Sequence, residues 1–284
     1  MSDPDAAAGS GIVPDPERTQ CPPERRVAEV KGVRRLGAYD LITARDPVGP
    51  ENPQPGQFYM LAAGDWWGGG AGERPFLPRA FSHAAVRRHL GGGVELDFLL
   101  EDVGPGTRRL GQLTEGEPLM LLGPLGSGFH PAAEGTRPLL VGGGIGVAPL
   151  LCLYAELLAA RAPAGVILGF RGAAHAAATE LFGGAAHVVT EDGSAGDRGL
   201  VTEPLAAQLD RDPAVTVYSC GPPAMLDAVR ALCAERGVEC QLALESGMAC
   251  GYGACFGCVV PTASGYQRVC VDGPVFTGAE LAVA

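Results

Sequence analysis

Three cysteines stand within nine positions near the end of this 284-residue chain, in the stretch ACGYGACFGCVV over 249–260. Cys250, Cys255 and Cys258 form C-x4-C-x2-C, and eleven residues separate Cys258 from a fourth, Cys270. Plant-type [2Fe–2S] clusters use this spacing, because one loop must wrap the cluster with three thiolates while a distant segment closes the fourth position. Gly251, Gly253 and Gly257 suit that wrapping, since backbone N–H groups must approach the inorganic sulfurs closely. A structural zinc site is the competing assignment, but it usually takes paired C-x2-C knuckles. The spacing favours the iron–sulfur cluster.

Two further stretches have the makings of a dinucleotide site. In LVGGGIGVAPLL (140–151), Gly142, Gly143, Gly144 and Gly146 follow an apolar run and open a helical one. Such a turn lets a pyrophosphate lie against a helix N-terminus, where free N–H groups and the dipole favour anions. Tight strand–helix turns also need glycine, so the pattern takes its weight from its context. In YSCGPPAML (218–226), Cys220, Gly221 and Pro222 sit at the end of a predicted strand, where open sheets bind ligands. A buried cysteine followed by a proline opening the next helix would look the same. The segment EDGSAGDRG (191–199) ends another strand on that edge. After the second strand, GFRGAAHA has no acid to hold a ribose 2′-hydroxyl, and its Arg171 suits a 2′-phosphate, so the choice between NAD and NADP stays open.

The first half carries weaker signals. RAFS (79–82) sets Arg79 to pair with a phosphate, Phe81 to stack and Ser82 to donate to a flavin ring. An edge-strand arginine and a core phenylalanine would fit the same residues. GPGTRRL (104–110) is a glycine turn entering a short helix with Thr107 near its start, a second phosphate contact. None of the five histidines has ligand spacing with another, and they read as structural or surface residues; His83, directly after RAFS, is the one of interest.

These residues need elements to hold them. Residues 1–23 are rich in Ala, Gly, Pro and Asp and predict a disordered lead. From residue 27 to about 122, short β-prone runs alternate with turn signals, which predicts an antiparallel barrel or sandwich. GDWWGGGAGERPFLP (64–78) interrupts them as a loop whose two tryptophans cover apolar surface or a ligand. Beyond 138 the rhythm becomes strand and helix alternation, the mark of a parallel sheet with helices on both faces. PPAMLDAVRALCAERG (222–237) is one helix, closed by Gly237. Periodicity then fades into a glycine- and cysteine-rich tail from 241.

Bulk properties exclude other classes. A net charge of −11 and a pI near 4.9 argue against nucleic acid or an anionic membrane as partner. The N-terminus lacks the basic and apolar regions of a signal peptide, and the apolar run over 138–154 is too short and glycine-rich to span a membrane. The expectation is a soluble, cytoplasmic protein. Nine cysteines, an odd number clustered at one end, are poor material for a disulfide framework. Cys152, Cys233 and Cys240 read as small buried residues.

In order along the chain, RAFS, GPGT, GPLGSGF (123–129), VGGGIGVAPL, EDGS, CGP and LESGMACGYGACFGCVV…YQRVCVDGPVF resemble the electron-transfer subunits of NAD-dependent dihydroorotate dehydrogenases, within the ferredoxin-reductase superfamily. The resemblance runs from residue 27 to the end and is most specific in the tail. It implies a multidomain β and α/β chain: an antiparallel FAD-binding β-barrel over 24–132, a parallel-sheet NAD-binding α/β domain over 133–240 and a C-terminal [2Fe–2S] segment over 241–284. It further implies that Arg79, Ala80, Phe81 and Ser82 hold the flavin and its phosphates, that Leu99, Leu100 and Glu101 pass along it, and that Gly106 with Thr107 binds the pyrophosphate. Phe81 stands where the motif often has tyrosine, and Glu101 where a basic residue is common. The lead and the DWWGGGAGERPF insertion lie outside the usual pattern.

The implied activity is that of an oxidoreductase subunit in pyrimidine biosynthesis. Dihydroorotate is oxidised on the FMN of a separate catalytic subunit, and electrons pass through the [2Fe–2S] cluster and FAD to NAD+. The expected assembly is a heterotetramer with two of each chain. No Ser/His/Asp or paired-carboxylate site is evident, as suits a protein that supplies position rather than acid–base groups. Two alternatives remain: a related NAD(P)H-dependent reductase subunit of a hydrogenase-type, ferredoxin:NAD(P)+ or oxygenase complex, or a zinc-stabilised nucleotide-binding protein without redox chemistry.

Overall fold

A computed structural model describes residues 24–64 and 77–281. The predicted lead over 1–23 and Trp66 and Trp67 of the predicted loop fall outside these residues. Six antiparallel strands close into a barrel in the order β1-β2-β5-β4-β3-β6. They are β1 (Arg25–Leu36), β2 (Tyr39–Asp46), β3 (Phe58–Ala63), β4 (Arg79–Arg88), β5 (Val94–Glu101) and β6 (Pro118–Leu125). Closure, rather than two stacked sheets, leaves no strand as a full-length unpaired edge. Inward positions alternate along each strand, so that Ile42, Tyr59, Leu61, Leu96, Phe98 and Leu121 share one core. A short helix, α1 (Pro105–Gly111), packs Leu110 into that core between β5 and β6.

The second half is a seven-stranded sheet in the order β10-β9-β8-β7-β11-β12-β15. It comprises β7 (Arg137–Gly143), β8 (Gly165–Phe170), β9 (His187–Thr190), β10 (Asp197–Arg198), β11 (Val215–Cys220), β12 (Cys240–Ala243) and β15 (Val275–Thr277). All pairs are parallel except β12 with β15. Helix α2 (Val147–Ala159) and the short α3 (Ala173–Ala176) cover one face, while α4 (Thr202–Arg211) and α5 (Pro223–Glu235) cover the other. Gly237, at φ +65, closes α5 in the left-handed region that helix ends favour. Cys152, Cys233 and Cys240 are buried, as expected.

The tail is more regular than its lost periodicity suggests. It lends β12 and β15 to the parallel sheet and folds β13 (Val259–Thr262) and β14 (Gly265–Arg268) into a hairpin. Strands of three or four residues are too short to show a period of two. The three parts share cores. Leu36, Leu41, Ala84 and Leu99 of the barrel pack with Leu140, Val147 and Leu150 of the α/β domain. Phe58, Met60, Leu122 and Leu125 pack with Val269 and Phe276 of the tail. Among the described residues, no helix is long and apolar enough to cross a membrane.

Candidate functional site

The barrel contains a slot where its strand pairing parts. Arg79, Ala80, Phe81 and Ser82 pair with β3, and β4 begins pairing with β5 only at His83↔Phe98. Continuing that register would set Ser82 opposite Leu99, Phe81 opposite Leu100 and Ala80 opposite Glu101, yet these pairs do not form. Each stretch therefore keeps one ladder edge without a strand partner, and the two edges face each other.

Helix α1 starts at one end of this slot. Its first turn leaves the N–H groups of Gly106 and Thr107 without intrahelical acceptors. The Arg79 guanidinium lies over Gly106, where an added Cβ would stand 3.1 Å from Nη2, and Arg79 Nη1 donates to the Leu77 carbonyl at 2.9 Å. An arginine held above free helical N–H groups suits a phosphate. The Thr107 hydroxyl is already engaged: it accepts from Val103 and Gly104 N–H at 3.0 and 3.1 Å and donates to the Gly104 carbonyl. Thr107 therefore has its main chain to offer an anion rather than its side chain. The side chains of Leu99 and Leu100 are likewise buried on opposite faces of β5. Glu101 turns outward to the α/β domain, within 3.0 Å of Arg171 Nη2 and 3.1 Å of His175 Nε2. An acid at this position pairs across the domains.

The two nucleotide stretches meet at a reversal of strand order. The chain runs from β7 outward to β8 and β9, then returns to place β11 on the other side of β7. Crevices at such switch points, beyond the carboxyl ends of the strands, are where open sheets bind ligands. Cys220 pairs in register with Gly142, and a Cβ on Gly146 would lie 2.5 Å from the Gly221 nitrogen. A Cβ on Gly143 would lie 2.5 Å from Met225 Sδ and 3.1 Å from Pro222 Cδ. These glycines hold two loops in backbone contact across the crevice, whereas Gly144 (φ +56) has open space around it. The Cys220 thiol is buried, and that burial raises its pKa well above the ordinary value.

The four tail cysteines line a loop and the turn facing it. Cys258 and Cys270 are buried, Cys250 is half-buried and Cys255 is exposed. The Gly257 N–H points to Cys255 Sγ and the Cys270 N–H to Cys258 Sγ, each at 3.4 Å. Burial raises the pKa of Cys250, but main-chain N–H groups of Cys255, Tyr252 and Ala254 outweigh it and lower the thiol to about 6. Burial and the neighbouring Cys258 push Cys270 up to about 12. Cysteine sulfurs approached by main-chain N–H groups on a glycine loop fit an iron–sulfur cluster. Among the described residues, no group of three or more His, Cys, Asp or Glu side chains is arranged to hold a single metal ion.

Strand β3 connects this loop to the slot. Gly251, at φ +79, rests on Met60, where an added Cβ would approach Cγ to 2.5 Å. Met60 pairs directly with Ala80 of β4, and Ala80 packs in the same apolar cluster as Cys258 and Cys270. Nothing in the sequence marks Met60, because an alternating apolar strand residue looks like any other core position.

Residues 245–282 match a family model described as the iron-sulfur cluster binding domain of dihydroorotate dehydrogenase B. The chain is 39% identical over 240 residues to the dihydroorotate dehydrogenase B (NAD(+)) electron transfer subunit of Caldanaerobacter subterraneus subsp. tengcongensis, covering 81% of this chain and 88% of that one. The chain belongs to this family of electron transfer subunits. Another family member, from Shouchella clausii, is 42% identical over 253 residues, covering 86% of this chain and 92% of the relative. Among solved structures, an NADH-dependent reduced ferredoxin-NADP oxidoreductase shares the fold at a TM-score of 0.75 and 24% identity, covering 90% of this chain and 89% of that one. The ferredoxin reductase of carbazole 1,9a-dioxygenase matches at 0.63 and 25%, covering 78% and 68%. Family membership and a ferredoxin-reductase-like fold agree with the resemblance carried by the motifs.

Proposed function

We infer that this chain is the electron-transfer flavoprotein subunit that carries electrons from a partner dihydroorotate dehydrogenase to NAD+, by way of a [2Fe–2S] cluster and FAD. The observation carrying this is the packing of Ala80, beside the slot, with Cys258 and Cys270 in one apolar cluster bridged by Met60. When bound, FAD exchanges hydride with a nicotinamide and single electrons with an iron–sulfur cluster, so it belongs between the two.

The residues divide the work. Arg79 and the free N–H groups of Gly106 and Thr107 bind the flavin phosphates, while Ala80, Phe81, Ser82, Leu99, Leu100 and Glu101 flank the flavin with main chain or side chain. Gly142, Gly143, Gly144 and Gly146, with Cys220, Gly221 and Pro222, hold NAD at the switch point. Cys250, Cys255, Cys258 and Cys270 ligate the cluster. This assigns FAD to 24–132, NAD to 133–240 and the cluster to 241–284, with β12 and β15 lent back to the sheet. The partner carries FMN and the dihydroorotate site, two of each chain assemble, and the complex works in the cytoplasm.

Metal and flavin analysis tests this. Protein prepared without oxygen should hold two irons, two labile sulfides and one FAD per chain. Cys255→Ser should lose most of the iron and keep its flavin. Zinc in place of iron would sink the reading.

A further inference from the structure

The cysteine loop contains a strained residue that its thiols do not explain. Phe256, between Cys255 and Cys258, lies at φ +55, where a bulky side chain is uncommon and needs its surroundings to hold it. Arg268 provides that hold. Its guanidinium carbon sits 5.1 Å from the centre of the Phe256 ring, and its Nη1 donates to the Gly253 carbonyl at 3.3 Å. A Cβ on Gly253 (φ +85) would lie 3.1 Å from Nη1, so glycine leaves the room this contact occupies.

The other end of Arg268 is fixed to the fourth cysteine's turn. Its N–H donates to Asp272 Oδ2 at 2.7 Å, and its carbonyl accepts from Val271 and Asp272 N–H at 3.0 and 2.8 Å. Its Nε stands 3.7 Å from Asp272 Oδ2. In the β13–β14 hairpin, Arg268 pairs with Val259, which directly follows Cys258. One half-buried side chain thus spans the loop bearing three thiols and the turn bearing the fourth.

We propose that Arg268 is a positioning residue for the iron–sulfur centre, clamping the C-x4-C-x2-C loop onto the Cys270 turn and setting a fixed positive charge against that loop. This rests on the assignment of the four cysteines as cluster ligands. Reduction adds an electron, and a neighbouring cation favours the more negative state, so Arg268 raises the reduction potential. The planar guanidinium stacks on the ring and donates in its own plane, where a lysine offers only a point charge.

The test compares wild-type protein with R268Q and R268K, each purified without oxygen with its flavin and cluster. Iron release to a chelator and the potential from an EPR-monitored redox titration are read, with flavin content as the check on folding. R268Q should release iron at least fivefold faster. Its reduced-to-oxidised ratio at a fixed potential should fall about threefold, close to 28 mV at 59 mV per decade for a one-electron couple. R268K should keep the wild-type potential and release iron at an intermediate rate. Should R268Q not fold, R268K alone decides, because faster iron release at an unchanged potential is specific to a lost clamp. Wild-type release rates in the variants overturn the proposal. A wild-type protein without two irons and two sulfides overturns the cluster assignment instead.

Discussion

The Glu101 carboxylate, at the end of β5 in the barrel, accepts a hydrogen bond at 3.0 Å from Arg171, the residue after β8 in the α/β domain. His175 Nε2 lies 3.1 Å from the same oxygen, and the ring of His175 stands edge-on to Tyr39. Further contacts cross the same seam: Ala38 N–H donates to the Ala174 carbonyl at 2.8 Å, and Arg34 pairs with Glu180 at 2.6 Å. Arg171 was the one basic group that the sequence offered to a 2′-phosphate, and here it has an acid as partner.

The pairing favours NADH over NADPH, because a 2′-phosphate near Arg171 must compete with Glu101. Glu101→Gln removes the competing charge. The pair is exposed, with 68% of the Arg171 side chain accessible, so its strength is at most about 1 kcal/mol. The NADPH-to-NADH ratio of kcat/KM, measured with an artificial acceptor, should therefore rise by up to about fivefold. An unchanged ratio would place Arg171 away from the adenosine ribose.

Arg79→Ala should weaken FAD retention by roughly 2–3 kcal/mol, the scale of a lost charge-assisted contact. Titration of flavin-free protein with FAD measures this directly. The guanidinium also donates to the Leu77 carbonyl, so a purely structural role would show as lost thermal stability with flavin affinity unchanged.

His83 is fully buried in the barrel beside Tyr59 and Phe98. Burial lowers its pKa from 6.5 to about 4. The unfolded chain then takes up this proton first as pH falls, so the native state loses stability from pH 6.5 down to about 4. At pH 5 the loss from this one group is about 2 kcal/mol. His83→Leu should shrink the drop in melting temperature between pH 7 and pH 5. If the variant shows the same drop as the wild type, the acid sensitivity lies elsewhere.

Legibility in the sequence followed the length of each signal. The longer barrel strands and the central parallel strands were visible because their β-prone and apolar runs persist over about six residues, as in YDLITA and GVILGF, whereas the two-residue β10 gave no such signal. The cysteine set was visible because ligand spacing is local. What stayed hidden depends on contacts between distant residues. His83 looked structural or surface-bound by type, but β4 turns it inward against Phe98. Glu101 looked like a flavin contact by position, yet its partners lie some seventy residues away. Arg268 is an unremarked residue in YQRVC until the hairpin brings it against Phe256.

Tyr252 and Phe256 are 48% and 64% exposed, and Val271 and Tyr266 add apolar surface from the facing turn and hairpin. Val259 and Val260, also apolar, begin β13 and are half-buried. Tyr252 and Phe256 flank Cys255 in sequence, and Cys255 is itself exposed, so apolar surface and an accessible thiol share one loop. Apolar patches beside a redox centre are surfaces a partner covers, since a lone protein gains by hiding them. Cys258 and Cys270 are buried against Phe58, Met60 and Leu125 of the barrel. Co-expression with an FMN-containing dihydroorotate dehydrogenase subunit should therefore yield a stable complex with two of each chain. Tyr252→Asp should weaken it while leaving NADH oxidation by artificial acceptors intact. Expressed alone, the chain should show that NADH activity and none with dihydroorotate. Reduction of NAD+ by dihydroorotate with the isolated chain would place a substrate site within it and end the division of labour between two subunits.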